Sequence, residues 1–309
     1  MRVFVTGASG WIGSAVVPEL IDAGHQVTGL ARSEASAAAL TAAGAQVQPG
    51  TLDDLDVLRS AAADSDGVIH LAFQHDVAFS GGFEQAADAD RRAVEVFGDA
   101  LAGSGRPFVL ASGLLGLAPG RVATEQDGRA PSPDETALPA GPGTRRATGQ
   151  LVLGFAGRGI RSAVLRLPPT VHGDGDNGFM ATLVGIARDR GVAGYLGDGS
   201  NRWPAVHRLD AARLFRLALE QAPAGSALHA VADEGVPIRD VAEVMGRHLG
   251  VPVAAVAPQD AAAHFTWLAG FIGMDSPASA ALTRELLDWQ PTEPGLIDDL
   301  DKGHYFQQP

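Results

Sequence analysis

Residues 6 to 13 read Thr-Gly-Ala-Ser-Gly-Trp-Ile-Gly, with glycines at 7, 10 and 13 between a short apolar run and a stretch of helical periodicity. A turn of this kind holds an anion with its backbone. Gly7 permits the tight bend, Gly10 lets the chain approach a pyrophosphate, and Gly13 allows the helix to pack closely, while the helix N-terminus presents unpaired N–H groups and a partial positive charge. Ser9, Trp11 and Ile12 complete the cradle. The next apolar run ends Gly29-Leu30-Ala31-Arg32-Ser33, with no acidic residue to hold a ribose 2′-hydroxyl. Arg32 and the Ser33 hydroxyl instead suit a 2′-phosphate, because a guanidinium forms paired charge-assisted bonds to its oxygens. The reading favours NADP over NAD; the alternative is a solvated Arg32 paired with Glu34.

The elements that must position these residues follow from periodicity. Apolar runs of strand length recur at residues 2–5, 26–30, 45–48, 67–72, 107–111 and 162–167, and the gaps between the earlier ones can each hold a helix. Strands alternating with helices predict an α/β fold with a doubly wound parallel sheet. Residues 118–143, rich in Pro, Gly and polar residues, read as a long loop crossing the active face. Beyond residue 168 the alternation weakens, and helical patterns at 179–190, 209–221, 238–249 and 278–287 predict a smaller, mostly helical lobe. The expected division is a dinucleotide-binding domain over 1–168 and a substrate lobe over 169–309, with part of the middle chain returning to the sheet.

Composition narrows the partners. The chain has 309 residues, 46% hydrophobic and 19% charged, enough for a sizeable core. A formal net charge of −13 repels phosphate backbones and anionic lipid surfaces, so neither nucleic acid nor a membrane is an expected partner. No apolar run reaches membrane-spanning length, and the chain opens at the edge of a strand, so no signal peptide or anchor is expected. The absence of cysteine excludes disulfides, thiolate metal sites and thiol nucleophiles; no metal site is expected, and a cytoplasmic location fits. Of the 23 basic residues only Lys302 is a lysine, and the two tyrosines are Tyr195 and Tyr305.

Taken with the glycine turn, several segments carry a family resemblance: His70-Leu71-Ala72, Ala111-Ser112-Gly113, Leu165-Arg166-Leu167-Pro168, Val171-His172-Gly173, Val206-His207 with Asp210, and residues 285–291. In order and spacing the chain resembles an extended or atypical short-chain dehydrogenase/reductase of the NAD-dependent epimerase/dehydratase group. The resemblance implies a Rossmann-type fold, with Leu52, Leu71, Ala72, Phe73 and Pro168 beside the cofactor and Ser112 in the catalytic serine position. It also implies a homodimer built on two helices, here about 85–102 and 145–157, and the stripe Ala89, Ala93, Val96, Phe97 and Leu101 is wide enough for a partner helix.

In that family a Tyr-x-x-x-Lys pair follows the serine, the tyrosine exchanging the proton and the lysine lowering its pKa. Here the tyrosine position falls near Gly141 or Pro142 and the lysine near Arg145 or Arg146, and a single lysine at 302 means the pair is missing. Arginine keeps the charge but donates no proton near neutral pH. The candidate proton donors are then Ser112, His172, Tyr195, His207 or water, and His172 stands where relatives often carry a tyrosine. A backbone-bonded His172 and a packed Tyr195 are the structural alternatives. Trp203 replaces the arginine by which such proteins grip a substrate diphosphate. With Leu114, Met180, Tyr195 and Asn201 it is expected to line a pocket for a small, largely apolar aldehyde or ketone. The leading expectation is an NADP-dependent oxidoreductase acting by hydride transfer; the alternatives are a nucleotide-sugar epimerase or dehydratase and a non-catalytic NADP-binding sensor.

Overall fold

The computed structural model describes residues 1–129 and 142–307. Strands β1 (Arg2–Thr6), β2 (Gln26–Ala31), β3 (Gln46–Pro49), β4 (Gly67–His70), β5 (Pro107–Gly113) and β6 (Arg161–Leu167) alternate with helices α1 (Gly13–Asp22), α2 (Glu34–Ala42), α3 (Leu55–Ala63), the one-turn α4 (His75–Val77), α5 (Phe83–Leu101) and α6 (Pro142–Gly154). There follow β7 (Thr170–His172), α7 (Phe179–Arg190), β8 (Ala193–Leu196), β9 (Arg202–His207), α8 (Arg208–Gln221), β10 (Ser226–His229), β11 (Asp233–Pro237), α9 (Ile238–Leu249), β12 (Val253–Val256), α10 (Ala261–Phe265), α11 (Ala281–Leu287) and α12 (Leu296–Asp301).

Among the described residues seven strands form one parallel sheet in the order β3-β2-β1-β4-β5-β6-β10. Val3, Phe4, Val5, Val68, Ile69, Phe108, Val109 and Leu110 are all at most 2% exposed, because helices cover both faces, and this is why β1, β4 and β5 are apolar without alternation. On one face Val16, Val17 and Leu20 of α1 share a core with Leu214, Phe215 and Leu219 of α8. On the other, Leu58 of α3, Phe97 of α5 and Val152 of α6 share a second core. Chain order reverses between β1 and β4, so the sheet opens a crevice at their C-terminal ends.

The six strands read from the sequence are present with ends shifted by one or two residues. The run 67–72 stops as strand at His70, because the Ala72 amide turns to donate to the Thr6 hydroxyl instead of extending the ladder (3.3 Å). Helices α7 and α9 have the bounds that periodicity gave them. The smaller lobe also contains two small sheets, β11-β9-β7 and β12-β8, around a third core that includes Met180, Trp203, Val241, Met245, Phe265 and Leu300. Both α8 and β10, although beyond residue 168, pack with the main sheet.

The stripe assigned to a partner helix is corrected. Ala89, Ala93, Val96, Phe97 and Leu101 are at most 6% exposed, because α5 presents them to the chain's own sheet and to α3 and α6. Of the loop read at 118–143, residues 130–141 lie outside the described residues, Gly141 among them. Among the described residues no helix is long and apolar enough to cross a membrane.

Candidate active site

The glycine turn is built from β1 into α1. Gly7 adopts φ +66°, and a side chain there would meet the Ala72 backbone nitrogen at 2.7 Å, so only glycine lets β1 and β4 end side by side. At Gly13 a Cβ would stand 2.1 Å from the Gly7 carbonyl oxygen. Gly10 meets only that same oxygen, at 3.2 Å, which leaves its outer side clear. Ile12, the residue before α1, gives no side-chain cap, and the first turn carries no acid, so no side chain offsets the partial positive charge at this helix end. These features fit the pyrophosphate of a dinucleotide. Ser9 is exposed at the tip, and the Trp11 indole donates to the Val171 carbonyl (2.9 Å) beneath the Arg208 guanidinium, 4.2 Å from the ring centroid. The turn is thereby tied to β7.

At the far end of the crevice Arg32 is exposed and lies 3.5 Å from Asp76, not beside Glu34. Ser33 caps α2, accepting from the Ser36 amide (3.2 Å). Leu52 and Pro168 are buried along the crevice, while Leu71, Ala72 and Phe73 are half-buried just past β4.

Below this, β5 ends at Ser112. The register pairs Ser112 with Arg166 and Gly113 with Leu167, which sets the hydroxyl one step from Pro168. Ser112 is half-buried; its Oγ lies 3.8 Å from where a Cβ on Gly149 of α6 would stand, so that glycine keeps the approach open. Arg145, one turn earlier on α6, donates to the Ala111 carbonyl (3.3 Å) and places its guanidinium 4.0 Å from the Phe73 ring centroid. Burial pulls it below the ordinary arginine value, with the Asp90 carboxylate opposing. Arg146 points elsewhere, donating to the Gly116 carbonyl (3.0 Å). Of the two candidate cations, Arg145 alone stands between Phe73 and the end of β5.

A buried chain that sequence reasoning missed lies behind Arg145. The Thr6 hydroxyl and His70 Nδ1 are 2.6 Å apart, and His70 Nε2 is 3.2 Å from Asp90 Oδ1. Asp90 is fully buried on α5, with its second oxygen unpaired. The available signal was an acid inside the apolar stripe of an otherwise regular helix.

Other candidates fall elsewhere. His172 is fully buried; its Nδ1 shares a hydrogen with Asp299 (2.9 Å), and its ring meets His207 edge-on. A wholly enclosed imidazole cannot exchange protons directly with solvent, so its assignment as donor is withdrawn. His207 caps α8 through the Leu209 amide (3.3 Å). Leu114, Met180 and Trp203 are each 1% exposed and belong to cores, with the Trp203 indole donating to the Met274 carbonyl (3.1 Å). Asn201 holds the Ile272 carbonyl (2.8 Å), and Tyr195 packs against Gly199. Leu114 is thus enclosed in the core of the main sheet and Met180 and Trp203 in that of the smaller lobe, while Tyr195 and Asn201 are half-buried and Asn201 lines a cavity with Asp198, Arg202 and Asp275.

A sequence profile of the NAD dependent epimerase/dehydratase family matches residues 3–231. The chain belongs to that family. An uncharacterised protein of Schizosaccharomyces pombe is 45% identical, covering 99% of this chain and all of that protein. A relative from Stigmatella aurantiaca named 4-hydroxy-2-methyl-3-oxo-4-farnesyl-3,4-dihydroquinoline-1-oxide ketoreductase is 29% identical over 73% of this chain and 66% of its own length. The solved UDP-glucose 4-epimerase of Thermotoga maritima superposes with a TM-score of 0.78 at 21% identity, covering 99% of this chain and 98% of that one, a likeness of fold. In this member of the epimerase/dehydratase family the glycine turn follows β1, Ser112 ends β5, and Arg145 lies against Ala111 and Phe73.

Proposed function

We propose that this protein binds NADPH in the crevice and reduces the carbonyl group of a largely apolar small molecule. The observation that carries the reading is Arg145, whose charge stands over Phe73 and against the end of β5, on the same helix whose Gly149 faces the Ser112 hydroxyl. NADPH, held by the glycine turn and by Arg32, would supply a hydride to the carbonyl carbon. Ser112 donates a hydrogen bond to the carbonyl oxygen, fixing the face presented. Arg145 stabilises the negative charge that grows on that oxygen, in a half-buried setting where a fixed cation acts strongly. The proton that completes the alcohol comes from water at the open side of Gly113, where an added Cβ would meet nothing within 4 Å. The relative named as a ketoreductase supports carbonyl reduction as the reaction class.

The test is NADPH consumption over a panel of aldehydes and ketones. Ser112→Ala should lower kcat by about 10² to 10³, the usual effect of removing one oxyanion donor, with NADPH affinity nearly unchanged. Full activity in that variant would reject the role of Ser112, and no turnover with any carbonyl would favour a binding protein without catalysis.

A further inference from the structure

Of the two tyrosines in the sequence, Tyr305 takes no part in the proposed reaction, yet both hydrogen-bonding functions of its hydroxyl are used. It lies on a single 3₁₀ turn, His304–Phe306, after α12. The half-buried phenol accepts from the Gly173 amide (3.1 Å) and donates to Asp176 Oδ2 (3.0 Å). Burial, and after it the Asp176 carboxylate, pushes the phenol well above its ordinary value, with the Gly173 bond opposing, so the hydroxyl keeps the proton it donates. Asp176 Oδ1 accepts from the Gly178 amide (2.7 Å), where α7 begins. One hydroxyl thus gathers both ends of the loop 173–178.

The glycine turn meets the same loop from the other side. The Trp11 indole donates to the Val171 carbonyl (2.9 Å), two residues before Gly173, and a Cβ on Gly175 would stand 3.8 Å from the indole ring. Between these anchors His172 Nδ1 and Asp299 (2.9 Å) hold β7 to α12. The turn that carries Tyr305 is braced in its own right. Phe306 stacks on His248 of α9, with ring centroids 4.5 Å apart at 4°, and His304 Nε2 lies 3.7 Å from Asp299. From Tyr305 through Gly173 and Val171 to Trp11, each step is therefore a hydrogen bond or the chain itself.

We infer that Tyr305 is a positioning residue for the cofactor, its hydroxyl fixing the loop 173–178 and β7 as the surface on which Trp11 seats the glycine turn. The inference rests on the reading that this turn binds NADPH. Backbone amides hold a pyrophosphate well only while they converge on it, and ordering a loosened turn at the moment of binding subtracts from the affinity. The loop carries glycines at 173, 175 and 178 and so has wide backbone freedom of its own, which is why two bonds from one hydroxyl decide its shape.

Tyr305→Phe removes both bonds and keeps the ring. Its affinity for NADPH, by fluorescence titration, should fall roughly three- to tenfold. The rise in melting temperature that a fixed concentration of NADPH gives the wild type should shrink with it. A residue serving stability alone would lower the melting temperature equally with and without NADPH and leave the Kd unchanged, and that result overturns the inference. The route is read by adding Trp11→Phe, which keeps a ring but has no N–H for Val171. If Tyr305 acts through Trp11, the double variant should bind NADPH about as well as the weaker single variant; losses that multiply show two independent effects and overturn the inference. A wild type that binds no NADPH defeats the cofactor reading and this inference with it, whereas NADPH binding undiminished in Tyr305→Phe defeats the role of Tyr305 alone.

Discussion

The guanidinium of Arg145 keeps its charge at every accessible pH, even though burial pulls it down, whereas a lysine in the same surroundings would lose its proton far more readily. A permanent cation suits charge stabilisation and does not suit proton exchange, which is why the proposed reaction takes its proton from water. The count of one lysine makes that replacement legible from residue types alone. Which of two adjacent arginines fills the place was not, because neighbouring helical positions point about 100° apart and the helix phase is settled by packing. Arg32 belongs to the same scale. Its bond to Asp76 is long, and both side chains are largely exposed, 72% and 86%, so the pair is weak and releases the guanidinium readily to a 2′-phosphate. A charge-assisted contact contributes roughly 1.5 to 3 kcal/mol, so Arg32→Ala should weaken NADPH binding about tenfold or more and leave NADH nearly unchanged. Fluorescence titration of both cofactors decides this, and an equal loss for the two would remove Arg32 from the cofactor site.

Among the elements, β1, β4 and β5 were legible because each is buried on both faces and therefore almost continuously apolar, whereas the edge strand β3 is largely exposed and was placed by the alternation, and β10, four residues long and beyond the regular alternation, was missed. The strands of the two small sheets were not legible either, since they are three to six residues long and their inward and outward positions carry mixed residue types. The apolar stripe of α5 showed that a face is buried without showing against what; it packs on its own sheet. The contact of α1 with β1 is the element on which the cofactor site depends. A Cβ on Gly13 would lie 2.1 Å from the Gly7 carbonyl oxygen and 2.6 Å from that of Ala8, both backbone atoms that cannot rotate away. Gly13→Ala must therefore push the helix off the strand and spread the turn. Overpacking of this kind costs roughly 1 to 3 kcal/mol, and the displaced amides should weaken NADPH by more than tenfold. Urea unfolding and cofactor titration should both register the change, and a variant with wild-type stability would show that the turn is looser than its geometry.

The molecule as a whole is joined at the sheet edge by a buried ionisable pair. Arg166 of β6 donates to the Asp127 carbonyl (2.7 Å) and to His229 Nε2 (3.2 Å), and His229 of β10 donates from Nδ1 to the Ser279 carbonyl (2.8 Å). These bonds link the segment after β5, the sheet and the chain leading into α11, and they require a neutral imidazole. Burial, and after it the Arg166 charge, pushes His229 from 6.5 down to about 3, with the Ser279 bond and the Asp127 carboxylate opposing. The unfolded chain therefore binds a proton below about pH 6.5 that the folded chain refuses, so stability is complete above that pH and falls as the pH drops towards 3. The slope for one such group is about 1.4 kcal/mol per pH unit, or roughly 2 kcal/mol between pH 6.5 and 5. Burial also lowers His75, His207 and His264, which add to the slope, whereas carboxylates held low by their partners, such as Asp66 at about 2, act at more acid pH. In His229→Gln the amide can accept from Arg166 without taking a proton, so its stability should be lower at pH 7 yet fall less steeply towards pH 5. Urea midpoints for both proteins at pH 7, 6 and 5 measure this directly, and parallel curves would mean that His229 is protonated in the folded protein and that the joint at the sheet edge is open to water.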